Sequence, residues 1–261
     1  MSWLELIILS IVEGLTEFLP VSSTGHMILL SAFMEMEETE FLKSFEIAIQ
    51  IGAILSVLTL YYKKFLVSLD IYIKLFVAFL PAAAIGFVAY KYIKALLFNP
   101  FVVSVALIIG GIILIMLDKW TENKESKFSA PEKISYKGAL QIGFFQCLAM
   151  IPGTSRSAAS IFGGIYAGFD RKQAAEFSFL LAIPTMFAAT IYDLYKTGSD
   201  FNQDQINMLL VGSVIAFFSA LAAVKGFIAL LTRYGFKHFG YYRIALGLMF
   251  LVFSWYFDLI S

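Results

Sequence analysis

Charge is what this chain has least of. Only 15% of its 261 residues are Asp, Glu, Lys or Arg, where a soluble domain carries about 25%. The formal net charge is zero, so no surface for a polyanion is implied and no nucleic-acid partner is expected. The single cysteine, Cys147, cannot close an internal disulfide and says little about redox compartment. The first residues include neither a basic n-region nor a small-residue cleavage site, so no removable signal peptide is expected. What fills the space is apolar: 60% hydrophobic and 16% aromatic residues, with a mean hydropathy of +0.82. That much apolar surface needs the bilayer as its solvent, and runs of about 20 apolar residues, the length that spans hydrocarbon, recur along the chain.

Six such runs read as full spans, at about 41–61, 71–91, 101–118, 172–195, 207–231 and 241–259. Two further apolar stretches, about 3–33 and 136–167, are each interrupted near the middle by a proline and a cluster of small hydroxyl residues. Their halves are too short to cross comfortably, so each is expected to be a re-entrant helix–break–helix that enters and leaves on one side. Irregular backbone at that depth survives only buried in protein or lining a wet cavity. The polar stretch 119–135 is expected to be a cytoplasmic connecting loop between a first half, 1–118, and a second, 136–261, of one membrane domain. With alternate loops sharing a side, basic residues including Lys119, Lys133, Arg171, Lys172, Arg233 and Arg243 gather on one face, against Lys91, Lys94 and Lys196 on the other. The basic face should be cytoplasmic, with both termini outside.

The halves also resemble each other. A shift of 132 residues sets Pro20 on Pro152, Ser22 on Thr154, Ser23 on Ser155, Phe45 on Phe177 and Ile51 on Ile183. Each half then holds one broken hairpin and three spans. Because three is odd, the halves must lie upside down relative to each other, an inverted-topology repeat with its site where the broken helices meet. The all-α fold class expected is therefore an integral membrane protein of two such inverted repeats.

The first break reads EGLTEFLPVSSTGH, residues 13–26. Glu13 and Glu17 are four apart and share a helix face; Pro20 ends that helix. Ser22, Ser23 and Thr24 open the next helix, whose free N–H groups and positive end suit an anion such as phosphate. His26 follows within one turn. The second break, PGTSRSAAS, residues 152–160, carries Gly153 for a tight turn and Arg156, whose planar fork suits phosphate. The blander alternatives are interfacial glutamates, capping serines and an arginine paired for structure alone. Ionisable groups gathered this closely inside a membrane are a functional hypothesis by default. Glu46 and Gln50, again four apart, could equally line an entrance or anchor at the interface.

The two motifs together, a Glu-x-x-x-Glu element running into PVSSTGH and a PGxSRS element, identify a resemblance over essentially the whole chain to the undecaprenyl-diphosphate phosphatase family, also known for bacitracin resistance. That resemblance implies hydrolysis of a polyprenyl diphosphate carrier lipid to the monophosphate, recycling it for cell-wall synthesis in the bacterial plasma membrane; the distribution of basic residues has the hairpin from Glu13 to His26 open to the outer face, which fits that role. The resemblance implies Ser23 as nucleophile or phosphate ligand, Glu17 and Glu13 as acid/base or metal partners, and His26 and Arg156 completing the site. Ser22, Thr24, Gly153, Thr154, Ser155 and Ser157 are the expected substrate-binding positions. A divalent cation, Mg2+ or Ca2+, is implied as cofactor, and a homodimer stays open. Where the family has glycine and threonine after SRS, this chain has Ala158 and Ser160; neither change touches the serine, arginine or glutamates.

Two routes fit these residues. Ser23 attacks phosphorus with Glu17 or His26 taking its proton, or metal-activated water attacks directly. Two rival functions also remain at this stage. An inverted-repeat transporter or lipid flippase fits the architecture but has no need of clustered serines, glutamates and histidine. A structural subunit leaves the buried polar groups as an unexplained cost.

Overall fold

The computed structural model describes residues 1–37, 39–67, 69–96, 100–122, 125–197 and 201–256. Among them it is all-helical, with eleven α-helices: α1 (Trp3–Thr16), α2 (Ser23–Phe33), α3 (Glu40–Ala48), α4 (Gln50–Val67), α5 (Asp70–Leu96), α6 (Pro100–Thr121), α7 (Tyr136–Gln146), α8 (Arg156–Ala167), α9 (Arg171–Thr197), α10 (Gln203–Tyr234) and α11 (Lys237–Tyr256). Local chemistry sets many ends. Ser2 and Glu5 form a capping box that starts α1, and Asn202 with Gln205 does the same for α10. Glu5 is thus a cap rather than part of the carboxylate pair. Gly168, at φ +117°, closes α8 in the left-handed conformation.

Five helical stretches are long and apolar enough to cross a membrane: Glu40–Leu66, Asp70–Ala89, Phe101–Thr121, Arg171–Tyr192 and Gln203–Tyr234. They match five of the six expected spans. The sixth expected span corresponds to α11, and residues 257–259 at its end lie outside the described residues, as do residues 123–124 of the connecting loop and the side chains of Lys91, Lys94 and Lys196. The first span is not continuous. Its helix breaks at Ile49 into α3 and α4, so Glu46 and Gln50 end on different helices. Large apolar side chains face outward, with Phe87 and Val88 78% and 81% exposed on α5, as expected where lipid replaces water.

Small residues let these helices approach closely, the usual device where no hydrophobic drive acts between helices in lipid. A Cβ at Gly52 of α4 would sit 1.9 Å from the Ser213 carbonyl oxygen of α10, and one at Gly240 of α11 would sit 2.6 Å from the Gly111 oxygen of α6. Between these packed pairs the two expected breaks appear as non-helical backbone: residues 17–22 between α1 and α2, and residues 151–155 between α7 and α8, the latter preceded by a 3-10 turn at Cys147–Met150.

One sequence expectation is corrected here. Arg243, counted with the cytoplasmic loops, is fully buried in α11. Its guanidinium reaches inward to backbone of both breaks. The apolar run that follows it carries the residue into the helix packing instead of leaving it at the surface.

Candidate functional site

The breaks meet in the interior. Ser157 at the start of α8 donates its hydroxyl to the Phe18 carbonyl in the first break at 2.8 Å. Beside this seam lies a cavity of about 200 Å³, lined by Glu17, Ser22, Ser23, Thr24, Gln50, Ala149, Met150, Pro152, Gly153, Ser155, Arg156 and Met186. The two helices that open onto it, α2 and α8, start alike. Ser22 and Ser155 are their N-caps, each held at positive φ (70° and 73°), and each accepts a bond from the N–H three residues on, Gly25 at 3.4 Å and Ala158 at 3.2 Å. Serine rarely adopts this backbone region. The equivalence pairs Ser22 with Ser155, one residue out of step with the 132-residue shift, which set Ser22 on Thr154. On this register Ser23 and Arg156 are counterparts, each the first residue of its helix, where backbone N–H groups have no intrahelical acceptor.

Glu17 joins the two. Its Oε2 accepts the Ser23 hydroxyl at 2.5 Å and its Oε1 pairs with Arg156 Nη2 at 3.1 Å. Arg156 is further held by the Ser178 carbonyl of α9 at 3.0 Å and lies over the Phe18 ring at 5.5 Å. Ser160 steadies this wall by bonding Ser178 Oγ at 2.7 Å. The guanidinium is therefore fixed in the cavity wall, with Nη1 held by Ser178, Nη2 held by Glu17 and the Met186 sulfur, and Nε buried without a hydrogen-bond partner. The arrangement sets a hydroxyl against a carboxylate, with a fixed cation and two helix N-termini around it. It can deprotonate an alcohol and hold an anion in one small space.

The remaining expected residues divide. Glu13, one turn before Glu17, is buried with its carboxyl next to that of Glu17; its Oε1 has no hydrogen-bond partner, and it is not among the lining residues. His26 also lies off the cavity lining. Its Nδ1 meets the Ser22 carbonyl at 2.7 Å and its Nε2 the Tyr242 hydroxyl at 2.6 Å, with the two rings stacked. A carbonyl only accepts, so Nδ1 carries the proton, and in the neutral ring Nε2 accepts from Tyr242. Both nitrogens are thus engaged away from Ser23. Ser157, expected at the substrate, is fully buried and spends its hydroxyl on the seam between the breaks. Thr154 lines a different, apolar cavity between α6 and α8. Helical rotation explains Ser157, since consecutive residues of α8 point about 100° apart and it cannot share the direction of Arg156; Thr154 lies in the non-helical backbone before that helix.

Sequence reasoning did not find Ser178, Met186 or Tyr242. None sits in a polar cluster, and each is recognisable only from what it touches. Gln50, for which the sequence allows either an entrance or an interface position, lines the cavity at the start of α4. Glu46, its partner in sequence, accepts from Ser31 at 3.1 Å instead.

A divalent cation can be tested against these groups. Among the described residues no cluster of three or more His, Cys, Asp or Glu side chains is arranged for a metal. Glu13 and Glu17 are adjacent hard-oxygen donors, and the orphaned buried Glu13 oxygen lacks the partner such a group requires. Two carboxylates suit a cation that also takes oxygen from a phosphate and water, as Mg2+ commonly does. The residues fit the group in that form, not as an all-protein cage.

Known proteins resemble this chain over nearly its whole length. The profile of the family described as bacitracin resistance protein BacA matches residues 6–249. The chain is 52% identical over 255 residues to an undecaprenyl-diphosphatase of Flavobacterium johnsoniae, covering 97% of this chain and 96% of that relative. It is 54% identical over 254 residues to one of Wolinella succinogenes, covering 97% and 98%. It is 48% identical over 250 residues to one of Aquifex aeolicus, covering 95% and 97%.

Proposed function

The chain belongs to the bacitracin resistance protein BacA family and is a membrane hydrolase that dephosphorylates undecaprenyl diphosphate, and we propose that the Ser23–Glu17–Arg156 cluster carries out that reaction. The observation that supports it best is the double engagement of Glu17. One carboxylate oxygen takes the Ser23 hydroxyl and the other takes the arginine of the opposite break, so a base, a nucleophile and an anion-binding fork share one cavity.

Phosphoryl transfer asks mainly for positioning and charge stabilisation. The diphosphate enters the cavity while the prenyl chain stays in the apolar phase. Arg156 and the N-termini of α2 and α8 hold phosphate oxygens. The Ser23 oxygen bonds to the terminal phosphorus, its proton passes to Glu17, and the bond from phosphorus to the bridging oxygen breaks, releasing undecaprenyl phosphate. The departing undecaprenyl phosphate takes that proton from Glu17; water then attacks the phosphoserine, passing a proton to Glu17, which returns it to Ser23 as the bond from phosphorus to the serine oxygen breaks and inorganic phosphate leaves. His26, engaged at both nitrogens, supports Ser22 and leaves the proton to Glu17. Glu13 and Glu17 would hold the divalent cation, Mg2+ or Ca2+. When bound, it supplies neutralisation of the diphosphate charge.

The two halves are read as inverted repeats with six spans. The matched N-caps Ser22 and Ser155 and the pairing of α6 with α11, the last helices of the two halves, support that reading. The distribution of basic residues supports a site open to the outer face of the plasma membrane, where recycling of the carrier lipid takes place.

The test is phosphate release from undecaprenyl diphosphate by the purified full chain in detergent. Wild type, Glu17→Gln, Ser23→Ala and Arg156→Ala are compared with and without a divalent cation. Metal-dependent release by wild type, lost in all three folded variants, supports the site. A folded Glu17→Gln variant that keeps wild-type turnover would overturn it.

A further inference from the structure

Arg243 is a buried cation whose partners are all backbone. Each of its five N–H donors meets one carbonyl oxygen. Nε meets Leu107 at 3.3 Å; Nη1 meets Pro20 and Thr154, both at 3.0 Å; Nη2 meets Ala106 at 3.1 Å and Gly153 at 2.8 Å. Ala106 and Leu107 belong to α6, Pro20 to the first break, and Gly153 and Thr154 to the second. No carboxylate among the described residues forms an ion pair with it. Burying a charge without a counter-ion is a costly way to hold helices together, so this one calls for a reason that apolar packing would not satisfy.

The reason lies in what the carbonyls control. In a trans peptide the C=O and the following N–H point in opposite directions. Holding the Pro20 and Thr154 oxygens on the Arg243 side turns the N–H groups of Val21 and Ser155 away from it. The Thr154 peptide leads directly into Ser155, and the Pro20 peptide reaches Ser22 through Val21; both serines are at positive φ. Such backbone persists only where the surroundings over-determine it. The next residues are Ser23 and Arg156, which carry the proposed chemistry. Arg243 itself is fully buried and not among the cavity-lining residues, so it does not meet the substrate. Room for its fork comes from Gly110 of α6, where a Cβ would lie 2.2 Å from Arg243 Nη2.

We propose that Arg243 is a positioning residue that pins both breaks to α6, setting the register in which Ser23 and Arg156 face one another. This rests on the reading of Ser23 and Arg156 given above. A point ammonium cannot reach five carbonyls on three segments, so lysine replaces the pin only in part.

The test uses the purified full chain in detergent, with kcat and KM for undecaprenyl diphosphate expressed per folded protein by circular dichroism. Arg243→Met keeps bulk and loses every donor; Arg243→Lys keeps charge; Gly110→Ala displaces the fork while leaving it in the chain. The expected result is a kcat at least 100-fold lower for Arg243→Met and about tenfold lower for Gly110→Ala, with partial rescue by Arg243→Lys and KM within threefold of wild type. A purely structural role would lower the folded fraction and leave kcat per folded molecule unchanged. That outcome, in Arg243→Lys or Gly110→Ala if Arg243→Met does not fold, overturns the proposal.

A readout independent of activity separates this from failure of the functional reading. Spin labels at Thr24 and Ile151, in a Cys147→Ala background, report the distance between the breaks. One narrow distance in the parent that spreads in Gly110→Ala or Arg243→Lys supports the pin even if wild type releases no phosphate. An unchanged distribution overturns it.

Discussion

Arg156→Lys puts the most specific demand on the site geometry. The wild-type guanidinium spans the Ser178 carbonyl at 3.0 Å through Nη1 and Glu17 Oε1 at 3.1 Å through Nη2, stacked over Phe18. A lysine keeps the charge but carries its donors on one nitrogen, which cannot hold the wall, the carboxylate and a phosphate oxygen together. Loss of one donor aimed at developing charge costs about 2.7–4 kcal/mol, a factor of about 10²–10³ in rate. The retained charge returns part of this, so kcat/KM should fall about 100-fold. The charge and burial are conserved, so the melting temperature should move by only a few degrees. The assay is phosphate release from undecaprenyl diphosphate at several substrate concentrations, beside a thermal melt in the same detergent. A lysine variant within threefold of wild type would refute the forked role and reduce Arg156 to a point counter-ion for Glu17.

Four further outcomes are expected. Ser23→Ala should abolish turnover if phosphoserine forms, and substantial residual release would favour direct attack by water. His26→Ala and Tyr242→Phe should each cost less than about tenfold in kcat; a loss of 10²–10⁴ in His26→Ala alone would restore His26 as the base, since general catalysis is worth about that much. Chelation should remove activity, with Mg2+ or Ca2+ restoring it, and full activity in excess chelator would dismiss the carboxylate pair as cation ligands. Gly52→Ala should destabilise by about 1–3 kcal/mol through overpacking, because its Cβ would meet the Ser213 carbonyl at 1.9 Å. Gly226→Ala, with nothing within 4 Å of the new Cβ, should instead stabilise α10 by about 0.5–1 kcal/mol; a reversed order in thermal melts would contradict the packing.

The class of protein, the helical stretches and both breaks were legible in the amino-acid sequence because the signals are local. Apolar run length, a proline after a helix, a serine at an N-cap and a glycine at a tight turn each act within a few residues. The carboxylate pair and the arginine stood out for the same reason, as charges in apolar surroundings. What the tertiary structure decided is which of these groups meet. Glu17 and Arg156 are 139 residues apart, His26 and Tyr242 are 216 apart, and Pro20 and Arg243 are 223 apart. Such pairings depend on how α1, α8 and α11 are rotated and how closely glycine lets them approach, which periodicity along one helix does not encode. A rotation of about 100° separates Ser157, spent on the seam, from Arg156 at the cavity. The same dependence turned Arg243 from an expected loop charge into a buried ligand of backbone oxygen. Its sequence neighbours announce a basic helix start, and only the carbonyls gathered around it in three dimensions make burying it feasible.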